Sequence, residues 1–90
     1  MITLSGRLIC ATEEEAARVR THLPEHLRLT RAEPGCLRFT VEPTDDPMVW
    51  QVEEAFTDAA AFGHHQARSR ESRWAAATAG IRRVFRTRGL

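Results

Sequence analysis

Cys36-Leu37-Arg38-Phe39-Thr40-Val41-Glu42 and, beyond Pro43-Thr44-Asp45-Asp46-Pro47, Met48-Val49-Trp50-Gln51-Val52-Glu53-Glu54-Ala55-Phe56 decide the fold of this chain. Both stretches alternate with period two, the pattern of a half-buried strand. In the first, Leu37, Phe39 and Val41 share one face; Cys36, Arg38, Thr40 and Glu42 share the other. In the second, Trp50, Val52 and Phe56 share a face with Glu54, opposite Val49, Gln51, Glu53 and Ala55. The proline-bounded acidic segment between them reads as a turn, so the pair is a hairpin.

Helical signals flank the hairpin on both sides. Upstream, Glu33-Pro34-Gly35 is a stop and a turn. Before it, Thr12-Glu13-Glu14-Glu15 forms a capping box that opens a helix, and its three acids suit the helix dipole. Ala16, Val19, Leu23 and Leu27 come next at helical spacing. Pro24 removes a hydrogen bond to the Arg20 carbonyl and predicts a kink or break, with the helix resuming to about Arg31. Ile2 to Cys10 alternates as a first strand, with Ile2, Leu4, Leu8 and Cys10 on one side. Downstream, Thr57-Asp58 caps a second helix that carries Ala61, Phe62, His65 and Ser69 along one side. Arg68 to Arg73 offers a break, Trp74 to Ala79 is again helical, and Gly80 ends it. Ile81 to Arg86 has the length of a last strand, with Ile81, Arg83 and Phe85 opposed to Arg82, Val84 and Arg86.

The order is β-α-β-β-α-β. It predicts an α+β, ferredoxin-like fold: a four-stranded antiparallel sheet with its helices on one face. The sets Ile2/Leu4/Leu8, Leu37/Phe39/Val41 and Trp50/Val52/Phe56 are expected to meet the helices. The other sheet face then carries Arg7, Arg38, Glu42, Gln51, Glu53 and Arg82, charges able to pair across strands or across subunits.

Composition bounds the rest. Ninety residues make one domain, residues 1–90, with no linker or repeat. A domain this small buries a modest share of its surface, and oligomerisation is a usual remedy. The net charge of +1 gives no field toward nucleic acid or an anionic membrane. The C-terminal Arg82, Arg83, Arg86 and Arg88 are expected to scatter over both faces of their strand. No apolar run reaches the roughly 20 residues of a membrane span. Met1 to Cys10 holds Arg7 and does not read as a signal peptide. With two cysteines and no zinc-spaced set, a reduced cytoplasmic setting is expected. All thirteen basic residues are Arg, and there is no Lys, Asn or Tyr. Schiff-base chemistry and phenolic acid–base catalysis by the protein are therefore excluded.

Three segments carry a family resemblance. Glu33-Pro34-Gly35-Cys36-Leu37-Arg38-Phe39, Val52-Glu53-Glu54-Ala55-Phe56, and Asp58 to Phe62 followed by His65 resemble, in order and spacing, segments of the antibiotic biosynthesis monooxygenase family. The resemblance covers nearly the whole chain. It implies a ferredoxin-like domain that forms a homodimer through its sheet face, a dimeric αβ-barrel. It also implies oxidation of a quinol or polycyclic phenol by molecular oxygen without flavin, haem or metal. Haem-degrading relatives rely on an asparagine on the first strand, and this chain has none. Phe56 stands where the family commonly has Trp.

Such chemistry needs a base near neutrality in a dry aromatic pocket, because a phenolate reduces oxygen far more readily than a phenol. His65 is the candidate catalytic base. A hydrogen bond to the sheet, or packing at the helix–sheet boundary, is its alternative role. His64 points about 100° away around the helix, toward solvent. Trp50, Phe39, Phe56, Phe62 and His26 are the candidate substrate-binding residues, with core packing as the competing role of the aromatics. Trp74 is expected to seal the second helical region onto the sheet or a partner. Arg38 is assigned to an ion pair across a dimer with Glu53 or Glu42. Cys10 and Cys36 are read as packing residues. His22 and His26 lie four apart, but Pro24 between them spoils the geometry of a metal pair. The expectation is thus a small aromatic substrate, no cofactor and no metal. The alternative is a non-catalytic domain that binds a small aromatic ligand.

Overall fold

In the computed structural model, which describes residues 1–90, the elements come in the predicted order. They are β1 (Ile2–Ile9), α1 (Glu13–Arg31), β2 (Cys36–Pro43), β3 (Val49–Phe56), α2 (Ala59–Arg70), α3 (Arg73–Ala77) and β4 (Arg82–Arg88). The strands pair antiparallel in the order β2-β3-β1-β4. This is the ferredoxin-like arrangement.

Local chemistry sets each boundary. Thr12 accepts a hydrogen bond from the Glu15 amide at 3.2 Å, and the Glu15 carboxylate reaches back to the Ala11 amide at 2.6 Å. Asp58 caps α2 by accepting from the Ala61 amide, and Ser72 caps α3 through the Ala75 amide. Pro24 does not break α1, which runs through it to Arg31. Ala16 and Val19 on one side of the proline and His26 and Thr30 on the other are all buried against the rest of the fold. Tertiary packing on both sides outweighs one lost backbone bond.

One face of the sheet meets the helices. Ile2, Leu4 and Leu8 of β1, Phe39 and Val41 of β2, and Trp50, Val52 and Phe56 of β3 join Ala16, Val19, Phe62 and Trp74 in a single core. Leu37 departs from the expected face: it is 58% exposed. A bulge between Cys36 and Arg38 adds a residue to β2, which breaks the alternation there and puts Cys36 against the core instead. Burial pushes the thiols of Cys10 and Cys36 above their ordinary pKa, as expected of packing residues.

At the other edge, β4 is exposed throughout, and Ile81, expected to open it, is buried just before it. The register puts Arg83 beside Leu8 and Phe85 beside Gly6, on the helix-facing side. Arg86 and Arg88 lie opposite Ser5 and Thr3. Arg82, Arg86 and Arg88 therefore share the outer face with Arg7, and only Arg83 turns inward. The C-terminal arginines are less scattered than expected from the sequence. The outer face forms a shallow hollow of about 690 Å³ bordered by Arg7, Arg86, Arg88, Gln51 and Glu53. Arg38 makes no ion pair within the chain, while Glu53 accepts from Ser5 and Gln51.

The turn at Gly35 joins the end of α1 to the sheet and to α2. Its φ is +85°, a left-handed conformation that suits glycine. An added Cβ would lie 2.6 Å from the Ala61 Cβ and 2.8 Å from the Thr57 hydroxyl. The turn thus docks directly on the start of α2, and it holds Glu33 two residues away. Gly35→Ala is expected to cost about 1–3 kcal/mol, read as a lowered urea midpoint with unchanged slope.

Candidate active site

Glu33 leaves the end of α1 and enters the interior beside α2. Its side chain, 6% exposed, receives Arg68 Nε at 2.8 Å on one carboxylate oxygen and lies 2.7 Å from His65 Nδ1 on the other. Arg68 also donates to the Thr30 hydroxyl at 2.9 Å, tying α2 to α1. Burial raises the Glu33 pKa, but the bonds from Arg68 and His65 outweigh it and hold the group below its ordinary range. Ionised Glu33 can only accept, so the shared proton sits on His65 Nδ1. That leaves His65 Nε2 with a free lone pair. Burial outweighs the favourable Glu33 contact and lowers the His65 pKa, so the ring is neutral near pH 7.

Nε2 faces a second carboxylate. Glu54 Oε1 lies 3.9 Å away, beyond hydrogen-bond range, and has no hydrogen-bond partner. Glu54 belongs to the apolar face of β3, between Leu4 on β1 and Phe39 on β2. Burial, with a smaller push from the Glu33 charge, raises its pKa to about 7. A neutral base and a carboxyl poised near neutrality thus stand side by side.

Both line a cavity of about 390 Å³ between the sheet and the helices. Its apolar walls are Leu4, Leu8, Phe39, Val41, Val52, Trp74, Ala75 and Phe85; His26, Gln66, Ser69, Arg70 and Arg83 complete it. His26 stacks on Trp74 with ring centres 4.8 Å apart and planes within 6°, and meets Phe39 edge-on at 5.3 Å. Burial lowers the His26 pKa to about 3, so it is a neutral ring in the wall. The volume is at the low end of small-molecule sites.

Of the residues singled out in the sequence, His65, Phe39 and His26 come together around this cavity. Trp50, Phe56 and Phe62 are buried in the core and do not line it. Phe56 stands directly behind the site, 5.0 Å from the His65 ring and stacked on it, with Phe62 5.6 Å beyond. His64 is exposed. Trp74 is a wall of the cavity as well as the seal of α3. No three His, Cys, Asp or Glu side chains are grouped so as to hold a metal ion.

Sequence reasoning missed Glu33, Arg68 and Glu54. Glu54 had a visible signal: it is a carboxylate on the apolar face of its strand. Glu33 and Arg68 had none beyond their neighbours, because their pairing depends on how the turn docks on α2.

The sequence model of the antibiotic biosynthesis monooxygenase family matches residues 1–77. The chain belongs to this family. No curated protein matches its sequence. Solved structures of similar shape include two candidate antibiotic biosynthesis monooxygenases. The one from Nitrosomonas europaea has 19% identity and a TM-score of 0.79, covering 100% of this chain and 98% of that one. The one from Deinococcus radiodurans has 23% identity and a TM-score of 0.81, covering 100% and 92%. SnoaB, a cofactor-independent oxygenase from Streptomyces nogalater, has 16% identity and a TM-score of 0.79, covering 99% and 91%. At these identities the likeness establishes the fold that this antibiotic biosynthesis monooxygenase-family chain shares with them. No helix is long and apolar enough to cross a membrane.

The raised Glu54 pKa has a consequence for stability. A carboxyl whose folded pKa lies above its ordinary 4.5 stabilises the fold at low pH and loses that contribution as pH rises toward about 7. The gap corresponds to roughly 3 kcal/mol. His26, depressed from 6.5 to about 3, acts oppositely: its contribution is present above pH 6.5 and is lost as pH falls through about 3. Comparing Glu54→Gln with the wild type cancels the His26 effect. The variant should match the wild type at pH 4 and exceed it at pH 8, by urea unfolding. An equal difference at both pH values would contradict the assignment.

Proposed function

We propose that this chain is a cofactor-independent monooxygenase that oxidises a quinol or polycyclic phenol with molecular oxygen. The observation that carries this reading is His65, fixed by Glu33 on one nitrogen and turning the other toward Glu54 in an aromatic-walled cavity. Membership of the family supports the reaction class.

The chain's residues suit each part of that chemistry. His65 Nε2 takes the phenolic proton, and the phenolate transfers an electron to oxygen. The two radicals combine at a ring carbon to form a peroxide. Loss of water then leaves a quinone: one oxygen atom stays on the ring, and the other departs as water with two protons from the substrate. Glu54, its carboxyl pKa pushed up to about 7, gives one proton to the departing oxygen, and His65 gives back the phenolic proton as the other; the ring proton released with the water restores Glu54. Trp74, Phe39 and His26 hold the flat ring and exclude water.

In this reading the protein is a homodimer closed through the outer sheet face. Arg7, Arg86 and Arg88 beside Glu53 give that face charges of both signs, and Val84 is 49% exposed within it. Light scattering at micromolar concentration should give twice the chain mass, and Glu53→Arg should shift it toward the monomer. A monomer in the wild type would refute this part.

The test of the reaction is oxygen uptake by chelator-treated protein with a panel of hydroquinones and naphthols. Uptake that survives the chelator and is lost in His65→Ala supports the oxygenase. Binding of panel compounds without uptake would favour a ligand-binding domain.

A further inference from the structure

We propose that the cavity takes an aromatic ligand carrying a carboxylate, and that Arg83 and Arg70 at its rim bind that carboxylate. The inference rests on the aromatic-site reading above and narrows its substrate class to hydroxyaryl carboxylic acids.

Arg83 is the one charged residue that β4 places on the helix-facing side, beside Leu8. Its guanidinium is not a loose surface charge. Nη1 donates to the Thr78 and Ile81 carbonyls, each at 3.0 Å, and Nη2 donates to the Thr78 hydroxyl at 2.7 Å. An arginine has five N–H donors. The two left over, on Nε and Nη2, lie along one edge of the plane. That edge matches a carboxylate in two parallel hydrogen bonds. Thr78 is fully buried, and its hydroxyl also donates to the Trp74 carbonyl at 2.7 Å. The same residue therefore fixes the guanidinium and the backbone that carries the aromatic wall.

No acidic side chain in the chain pairs with Arg83 or with Arg70. The only carboxylate in the cavity lining is Glu54, 8% exposed and set beside His65. A ligand carboxylate gains no favourable charge beside Glu54 and is drawn to the arginines. Its hydroxyl is thereby left for His65 Nε2. The polarity of the cavity thus assigns both groups of the ligand and its direction.

The test is isothermal titration of the folded chain with 6-hydroxy-2-naphthoate, whose two groups stand at opposite ends of the ring system, and with its methyl ester, which keeps the ring and hydroxyl and lacks the charge. The acid should bind at least about ten-fold tighter at low salt, with the preference shrinking in 0.5 M NaCl. Arg83→Lys, which keeps the charge and loses the fork, should weaken the acid several-fold and leave the ester unchanged. Arg70→Gln, at an exposed position, gives a second reading should the Arg83 variant unfold, and it too should reduce the preference. Equal binding of acid and ester by the wild type would overturn the carboxylate site and leave the aromatic cavity standing. Binding of neither would overturn both.

Discussion

His65→Gln is expected to lower kcat for phenol oxidation by about 10²–10⁴-fold, with KM little changed. The imidazole is the one neutral base in the cavity whose second nitrogen is fixed by an ionised partner, Glu33, at 2.7 Å. Glutamine can keep a hydrogen bond to Glu33, but it cannot accept a proton at neutral pH. A role in folding alone would instead lower the melting temperature and leave kcat per folded molecule intact, so a thermal melt accompanies the assay. The pH profile adds a separate readout. Activity should rise with pH as His65 loses its proton, below the ordinary 6.5, and fall above about 7 as Glu54 ionises. Glu54→Gln should remove the upper limb. A wild-type profile flat across that range would argue against both assignments.

Phe56→Ala should be the most damaging change to stability. Phe56 is completely buried, stacked on His65 and packed against Phe62. Removal of a buried aromatic ring costs about 3–5 kcal/mol. A small domain holds about 5–15 kcal/mol in all, so the variant should lose a large share of its stability and melt well below the wild type. Phe56→Leu conserves most of the volume and should cost about half as much or less. Urea unfolding of the two variants checks this. A loss below about 1 kcal/mol for alanine would mean that the pocket behind His65 collapses without cost.

Much of the fold could be read from local pattern. The hairpin, the capping box at Thr12 and the cap at Asp58 are short-range signals, and each leads to the element observed. The failures have physical causes. Leu37 lost its face because a bulge is a pairing event between β2 and β3, and alternation within one strand does not report it. Pro24 lies within a continuous helix because packing before and after it is tertiary. For the candidate site, His65, Phe39 and His26 were legible from helical spacing, strand alternation and family resemblance. Trp50, Phe56 and Phe62 share the inward side with the cavity residues but sit in the core; facing inward does not distinguish a wall from a filling. Glu33 meets His65 and Arg68 only through the Gly35 turn, across 32 and 35 residues of sequence respectively. Such a contact exists only in three dimensions.

If His65 activates a phenol for direct reaction with oxygen inside this cavity, the fate of the oxygen atoms will show it. Mass spectrometry after turnover of a reactive naphthol under ¹⁸O₂ is the most direct test. Chelator-treated wild type should yield a quinone carrying one labelled oxygen atom, with the other label in water, and His65→Gln should stay at background. An unlabelled product with labelled hydrogen peroxide, or the same label in both proteins, would contradict this mechanism.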